Sequence, residues 1–225
     1  MEKRYFALDG LRGVAAVTIV LVHVQWVTHL TGTGVIERGY LAVDLFFMLS
    51  GFVISSAYGG RINGRADVGN FLKRRFFRVY PLHFAVLIGL VALECGRLLG
   101  ERHGITFDRP AFTGQYSLAA LVPHLLFLQG SGLFDFIGWN SPSWSVGSEF
   151  IIYIAFALLS VIGVLSKRKV LIGLGIAGFA TYTAITVIKG DFADGIYQLA
   201  PVRCAAGFSI GVCLFHLRER GAFRR

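Results

Sequence analysis

Apolar residues gather into long runs, and the polar stretches between them are short and rich in Arg and Lys. The runs fall at about 8–30, 40–58, 79–99, 118–129, 146–166, 170–188 and 199–217. All but one approach the roughly 20 residues that a helix needs to cross about 30 Å of hydrocarbon. The exception, LAALVPHLLFLQ, is short and holds Pro123 and His124, which fits a re-entrant or interfacial helix better than a crossing. The pattern predicts an all-α, polytopic transmembrane helix bundle of about six crossings plus a short re-entrant segment. No linker or repeat divides it, so residues 1–225 read as one domain.

Charge orients the bundle. Arg61, Arg65, Lys73, Arg74, Arg75 and Arg78 form a basic loop set that belongs in the cytoplasm, together with Lys3 and Arg4. If 118–129 dips and returns, Lys167, Arg168 and Lys169 also fall inside, as do Arg218, Arg220, Arg224 and Arg225. If it crossed, the cluster at 167–169 would end outside. The expectation is therefore a multi-pass protein of the cell membrane, of the bacterial inner-membrane kind, with both termini cytoplasmic. Asp9, Arg12 and His23 interrupt the first run and no A-x-A pattern follows, so it reads as an uncleaved helix.

Composition removes the other classes. Of 225 residues 55% are hydrophobic and 16% charged, with mean hydropathy +0.63, against about 25% charged in a soluble domain. The formal charge of +9 lies in clusters between apolar runs, so it marks topology and membrane lipids rather than nucleic acid. Cys95, Cys204 and Cys213 sit in apolar stretches without a CxxC pair or a His at metal spacing; neither a disulfide framework nor a metal site is expected.

Four features carry candidate chemistry. Arg12 and His23 lie within roughly 20° of one helix face and about 16 Å apart, with Asp9 one turn before Arg12. Such a stripe suits the wall of a polar cavity, with neutral imidazole as a base toward a hydroxyl; the alternative is helix anchoring and an interhelical hydrogen bond. In FLKRRFFRVYPLH, Arg74, Arg75 and Arg78 suit phosphate, although positive-inside flanking also explains them. In NSPSWSVGSEF, Ser143, Trp144, Ser145 and Glu149 suit a hydroxyl-rich acceptor, against ordinary interfacial Trp. Arg203 lies inside the last run, and Asp44, Glu94 and Glu149 are its candidate partners. His83, His103 and His124 have no partner at informative spacing and read as structural or solvated.

Taken in order, FALDGLRGVAAVTIVLVH, YLAVDLFFMLSGFVIS, FLKRRFFRVYP, PSWSVGSEF and PVRCAAGFSIGV resemble the acyltransferase 3 family of integral membrane O-acyltransferases over essentially the whole chain. The resemblance implies transfer of an acyl group, most often acetyl from cytoplasmic acetyl-CoA, to a hydroxyl of an extracytoplasmic carbohydrate, cell-envelope or lipid-linked acceptor. Acetyl-CoA would be a substrate, with no permanently bound cofactor. It further implies CoA phosphates on Arg74, Arg75 and Arg78, the donor positioned by Arg12, and His23 as general base or transient acyl carrier. Glu149 would act beside His23, with Ser143, Trp144, Ser145, Asp44 and Arg203 toward the acceptor. Two departures stand out. Family members usually have further helices, so this chain looks like their N-terminal part and a partner subunit is one source of the rest. Phe150 stands where the family commonly has a second acid. The rival readings are a truncated non-catalytic remnant or partner subunit, and a transporter, for which inverted repeats would be expected.

Overall fold

The computed structural model describes residues 5–23, 38–134, 138–189, 198–219 and 221. These fold into α1 (Phe6–His23), α2 (Leu41–Tyr58), α3 (Arg65–Arg102), the short α4 (Leu118–Leu125), α5 (Trp144–Val161), α6 (Arg168–Lys189) and α7 (Ala200–Glu219). Among the described residues there is no strand, and six helices are long and apolar enough to cross a membrane. The expected residues Lys3, Arg4, Arg220, Arg224 and Arg225, and the last part of the first run, lie outside the described residues.

α3 differs most from its expected start at residue 79. It is one helix of 38 residues, about 57 Å long, and the Arg-rich block lies within it. Between Arg65 and Val79 only Gly69 disfavours helix, and charged side chains are good helix formers once they stand in water. Pro81 sits inside without ending the helix, as proline does in apolar surroundings.

Lipid is as apolar as a leucine side chain, so helices in a membrane associate through close packing rather than through the hydrophobic effect. Here α2 and α7 meet at glycines: a Cβ on Gly51 would collide with the Phe208 carbonyl oxygen, and one on Gly211 with that of Met48. α6 joins them through Gly178, whose Cβ would stand 2.5 Å from the Ala206 oxygen. The apolar core lies beside this seam, where Ile54, Phe71, Tyr153, Phe156, Leu171 and Phe208 pack together. By contrast only 6% of α1 is buried, and Val14, Val17 and Val20 face outward.

Contacts sort the helix ends. Tyr5 meets Ser56 and Phe52, Arg218 stands over Tyr5, and Arg75 stands over Tyr58 and Phe71. Arg168 lies against Cys213, His216 and Leu217. The basic clusters thus share one end, called here the arginine end. Asp44, Trp144, Tyr182 and Arg203 gather at the far end.

Between α3 and α5 the chain makes a closed excursion. It enters at Ser117, whose hydroxyl caps α4 by accepting from the Ala120 N–H at 3.2 Å. It returns at Trp139, whose indole N–H donates to the Ser117 carbonyl at 3.0 Å. Its innermost part lies along α3, where Tyr80 donates to the Leu125 carbonyl at 3.0 Å. On the other side it presses on α5, where a Cβ on Gly130 would overlap the Trp144 carbonyl.

Candidate functional site

The far end is built around a buried ion pair. Arg203 Nη2 and Nε donate to Asp44 Oδ2 and Oδ1 at 2.6 and 3.3 Å, so of the three acids open to Arg203 the fold selects Asp44. The two residues stand in the first turns of α7 and α2, which the glycine seam holds side by side. Tyr182 donates to Asp44 Oδ1 at 3.1 Å, and the Trp144 ring lies 5.6 Å under the guanidinium. Trp144 also packs edge-on against Phe47. It is a buried wall of this pair rather than an open plate for a sugar.

From here polar groups descend through the bundle. Glu149, half-buried, is close enough to act electrostatically on Cys204 and on the Tyr153 hydroxyl one turn further along α5. Tyr153 and Ser50 share a hydrogen bond of 3.0 Å. Arg75 acts on Tyr153 from the arginine end, and its buried Nε has no hydrogen-bond partner among the described residues. The lane Arg75–Tyr153/Ser50–Glu149–Asp44/Arg203 therefore runs between α2, α3, α5 and α7. Measured along α2 from Tyr58 to Asp44 it is about 21 Å long.

Several expected residues lie elsewhere. Arg74 and Arg78 are exposed on α3 while Arg75 turns inward, so the trio divides between the surface and the lane. Ser143 is buried and spends its hydroxyl on the Asn140 carbonyl at 2.6 Å while Gln129 donates to it at 3.1 Å. The Ser145 hydroxyl, half-buried, donates to the Pro142 carbonyl at 3.4 Å.

Arg12 and His23 are not in the lane. α1 rests on α2 through Leu8, Arg12, Ala15, Ile19 and Val22, while α2 turns Asp44, Phe47, Gly51 and Ile54 toward the bundle and Phe52 and Ser56 toward Tyr5. The body of α2 thus separates the two polar sets. With Tyr5 level with Ser56, His23 stands about 27 Å further along α1, level with the start of α2. Its Nδ1–H donates to the Ile19 carbonyl at 2.8 Å, which leaves Nε2 with its lone pair on an exposed ring.

Sequence reasoning passed over a second polar cluster. His83 Nε2 donates to the His124 carbonyl at 3.0 Å, Asn140 Nδ2 donates to His83 Nδ1 at 3.2 Å, and the two imidazoles stack. Both histidines are buried, so "structural" holds for them and "solvated" does not. Burial, with His83 adding to it, pushes His124 down to about 4, below its ordinary 6.5. The unfolded chain then binds the extra proton, so the contribution to stability is full above about pH 6.5 and is lost as pH falls toward 4. On the order of 2 kcal/mol is at stake. The melting temperature in detergent should fall between pH 7 and pH 4.5, and this fall should be smaller in His124→Gln; equal falls would remove His124 as the cause.

A chain whose described residues include six helices long and apolar enough to cross a membrane, with a basic end and an internal polar lane, is a multi-pass membrane protein. It belongs to the acyltransferase domain family, whose model matches residues 5–225. Over 161 residues it is 38% identical to Protein 2 in picA locus of Rhizobium radiobacter, covering 69% of this chain and 82% of that protein. Acyltransferase MdmB of Streptomyces mycarofaciens is 33% identical over 68% of this chain and 38% of its own length. Peptidoglycan O-acetyltransferase OatA of Listeria monocytogenes is 23% identical over 85% of this chain and 30% of its own. The chain thus spans most of the first relative and well under half of the other two. No solved structure matches it.

Proposed function

We propose that this protein is a membrane O-acyltransferase that moves an acyl group, acetyl in the simplest case, from cytoplasmic acyl-CoA to a hydroxyl of an extracytoplasmic carbohydrate or lipid-linked acceptor. The observation that carries this reading is the two-ended arrangement within an acyltransferase family: phosphate-suited arginines at one end, and at the other an exposed imidazole whose Nε2 has no hydrogen-bond partner among the described residues. The basic clusters orient the arginine end to the cytoplasm with both termini, and the excursion of 117–139 is then re-entrant from the outside. The names of relatives that act as O-acetyltransferases of peptidoglycan support the acceptor class.

In this reading Arg74 and Arg78 hold CoA phosphates at the surface, with Arg75 beside them, and Arg12 positions the donor along α1 on the face of α2 away from the lane. His23 Nε2 takes the proton of the acceptor hydroxyl as its oxygen attacks the thioester carbonyl. The C–S bond breaks, and the proton on His23 passes to the leaving thiolate. A transient acyl group on His23 gives the same balance in two steps. Glu149, Trp144, Ser143 and Ser145, with Asp44 and Arg203, shape the acceptor side.

A second reading is favoured by α1. Among the described residues α1 is only 6% buried, and Val14, Val17 and Val20 on its outer sides are exposed. A partner subunit with further helices would cover them, and a lone chain would then be a non-catalytic remnant.

Inside-out vesicles with the wild-type chain or His23→Ala, given acetyl-labelled CoA, separate the two. Label should enter carbohydrate or lipid and fall at least about 100-fold in the variant at matched expression. Equal transfer by both removes His23 from the reaction; none by either favours the remnant.

A further inference from the structure

The turn between α5 and α6 carries a basic cluster that the proposed transfer does not use. The turn is short and held in place: the Ser166 hydroxyl donates to the Gly163 carbonyl at 2.6 Å, Gly163 takes a left-handed φ of 71°, and Leu165 packs against the apolar core. Lys167, Arg168 and Lys169 follow. All three are exposed, and none has a side-chain hydrogen bond or ion pair among the described residues. The sequence around them offers no counter-charge. From Phe150 to Lys189 there is no Asp or Glu, and the one acid of α7, Glu219, adjoins Arg218.

Beside the cluster α6 and α7 part. They touch at Gly175, where a Cβ would stand 2.7 Å from Cys213 Sγ, and at Gly178. Nearer the arginine end lies a notch lined by Arg168, Leu171, Ile172, Cys213, His216 and Leu217. Its volume of about 10 Å³ is room for about one water, so it does not enclose a soluble metabolite. It is the head of a surface groove instead. Ile172 and Ile176 follow each other along one face of α6, and Ile176 is 65% exposed. Ile162, 68% exposed just after α5, marks where the hydrocarbon-facing surface ends, so the cations five to seven residues on stand at the level of the bilayer phosphates. One guanidinium fork and two ammonium groups above an apolar groove suit a phosphodiester tethered to acyl chains. A headgroup with its own ammonium brings a positive charge to the same cluster and loses much of that attraction.

We propose that the cluster at 167–169 and the groove between α6 and α7 bind an anionic phospholipid at the arginine end, its phosphate on Arg168 and the two lysines and an acyl chain along Ile172 and Ile176. The binding needs no acyl donor and stands or falls separately from catalysis.

The test uses the full chain in a neutral detergent, with dioctanoyl phosphatidylglycerol, dioctanoyl phosphatidylcholine and inorganic phosphate titrated in turn. The phosphatidylglycerol should bind about tenfold more tightly than either of the others. Lys167→Gln, Arg168→Gln and Lys169→Gln together should abolish that preference; the three side chains are exposed, so the fold should survive their loss. Arg61→Gln with Arg65→Gln, which removes two exposed charges from the same end, should keep it. Ile172→Ala should weaken both lipids by a similar factor and leave inorganic phosphate alone. Equal affinity for the two lipids, or a preference that outlasts the triple variant, overturns the proposal. So does an equal loss in the Arg61 and Arg65 control, since total charge would then be the cause. Inorganic phosphate binding as tightly as phosphatidylglycerol, or lipid binding indifferent to Ile172→Ala, would remove the acyl chain from the site and overturn it too.

Discussion

Gly211→Ala should leave little folded protein. Its new methyl group would lie far inside van der Waals contact distance of the Met48 carbonyl oxygen and 2.8 Å from the Phe52 nitrogen, both backbone atoms that cannot swing aside. Gly51→Ala meets the Phe208 carbonyl from the other side of the same seam, and at Gly207 a Cβ would stand 2.6 Å from the Tyr182 hydroxyl and 2.9 Å from Phe47 Cβ. Relief requires α2 and α7 to part along their length, which gives up the van der Waals contact that holds helices together in lipid. The expected cost is roughly 3 kcal/mol or more, at the upper end of overpacking effects. Gly89→Ala and Gly173→Ala are the controls: nothing lies within 4 Å of either Cβ, and helix propensity favours alanine there. Size-exclusion profiles and melting temperatures in detergent would read the difference. A Gly211→Ala protein melting beside the wild type would show that the seam can open without loss.

That seam also explains what could be read in the sequence and what could not. Run length and apolarity were enough to locate the spans, because crossing hydrocarbon is a requirement on each helix by itself. Within the motif YLAVDLFFMLSGFVIS, Gly51 is the residue that admits α7. The partner of Arg203 was undecided among Asp44, Glu94 and Glu149, because the choice depends on which helices the glycines bring together across a separation of 159 residues. Glu94 is taken by Arg109, a loop residue whose position depends on how the chain turns after α3. Likewise His83 and His124 meet only because the excursion from Ser117 to Trp139 lays α4 along α3. The helical period placed Arg12 and His23 on one face, but a period carries no information about the neighbour, and α2 stands between that face and the lane. Tyr153 was hidden within an apolar run, although its i, i+4 relation to Glu149 put both on one face.

Asp44 and Arg203 allow structure and chemistry to be separated in one set of variants. Their side chains are only 7% and 1% exposed, so Asp44→Ala takes the carboxylate from a deeply buried guanidinium. Breaking such a pair from one side costs about 3–5 kcal/mol, which should lower the yield and the melting temperature sharply. Replacing both partners by apolar residues of similar bulk, as in Asp44→Leu with Arg203→Met, removes both charges together. Stability should then return close to that of the wild type, since a well-packed apolar pair is often neutral or better in place of a buried ion pair. A double-mutant cycle should show coupling of roughly 2 kcal/mol or more. If Asp44→Ala melts like the wild type, the pair does not hold α2 and α7 together. Transfer in the vesicle assay then asks a different question of the same protein. Should the ion pair shape the acceptor side, as proposed, the folded double variant loses activity at least about 100-fold while keeping its fold. Should the pair serve only to dock α7 on α2, the double variant transfers label normally, and the acceptor side must be sought nearer His23, on the other face of α2.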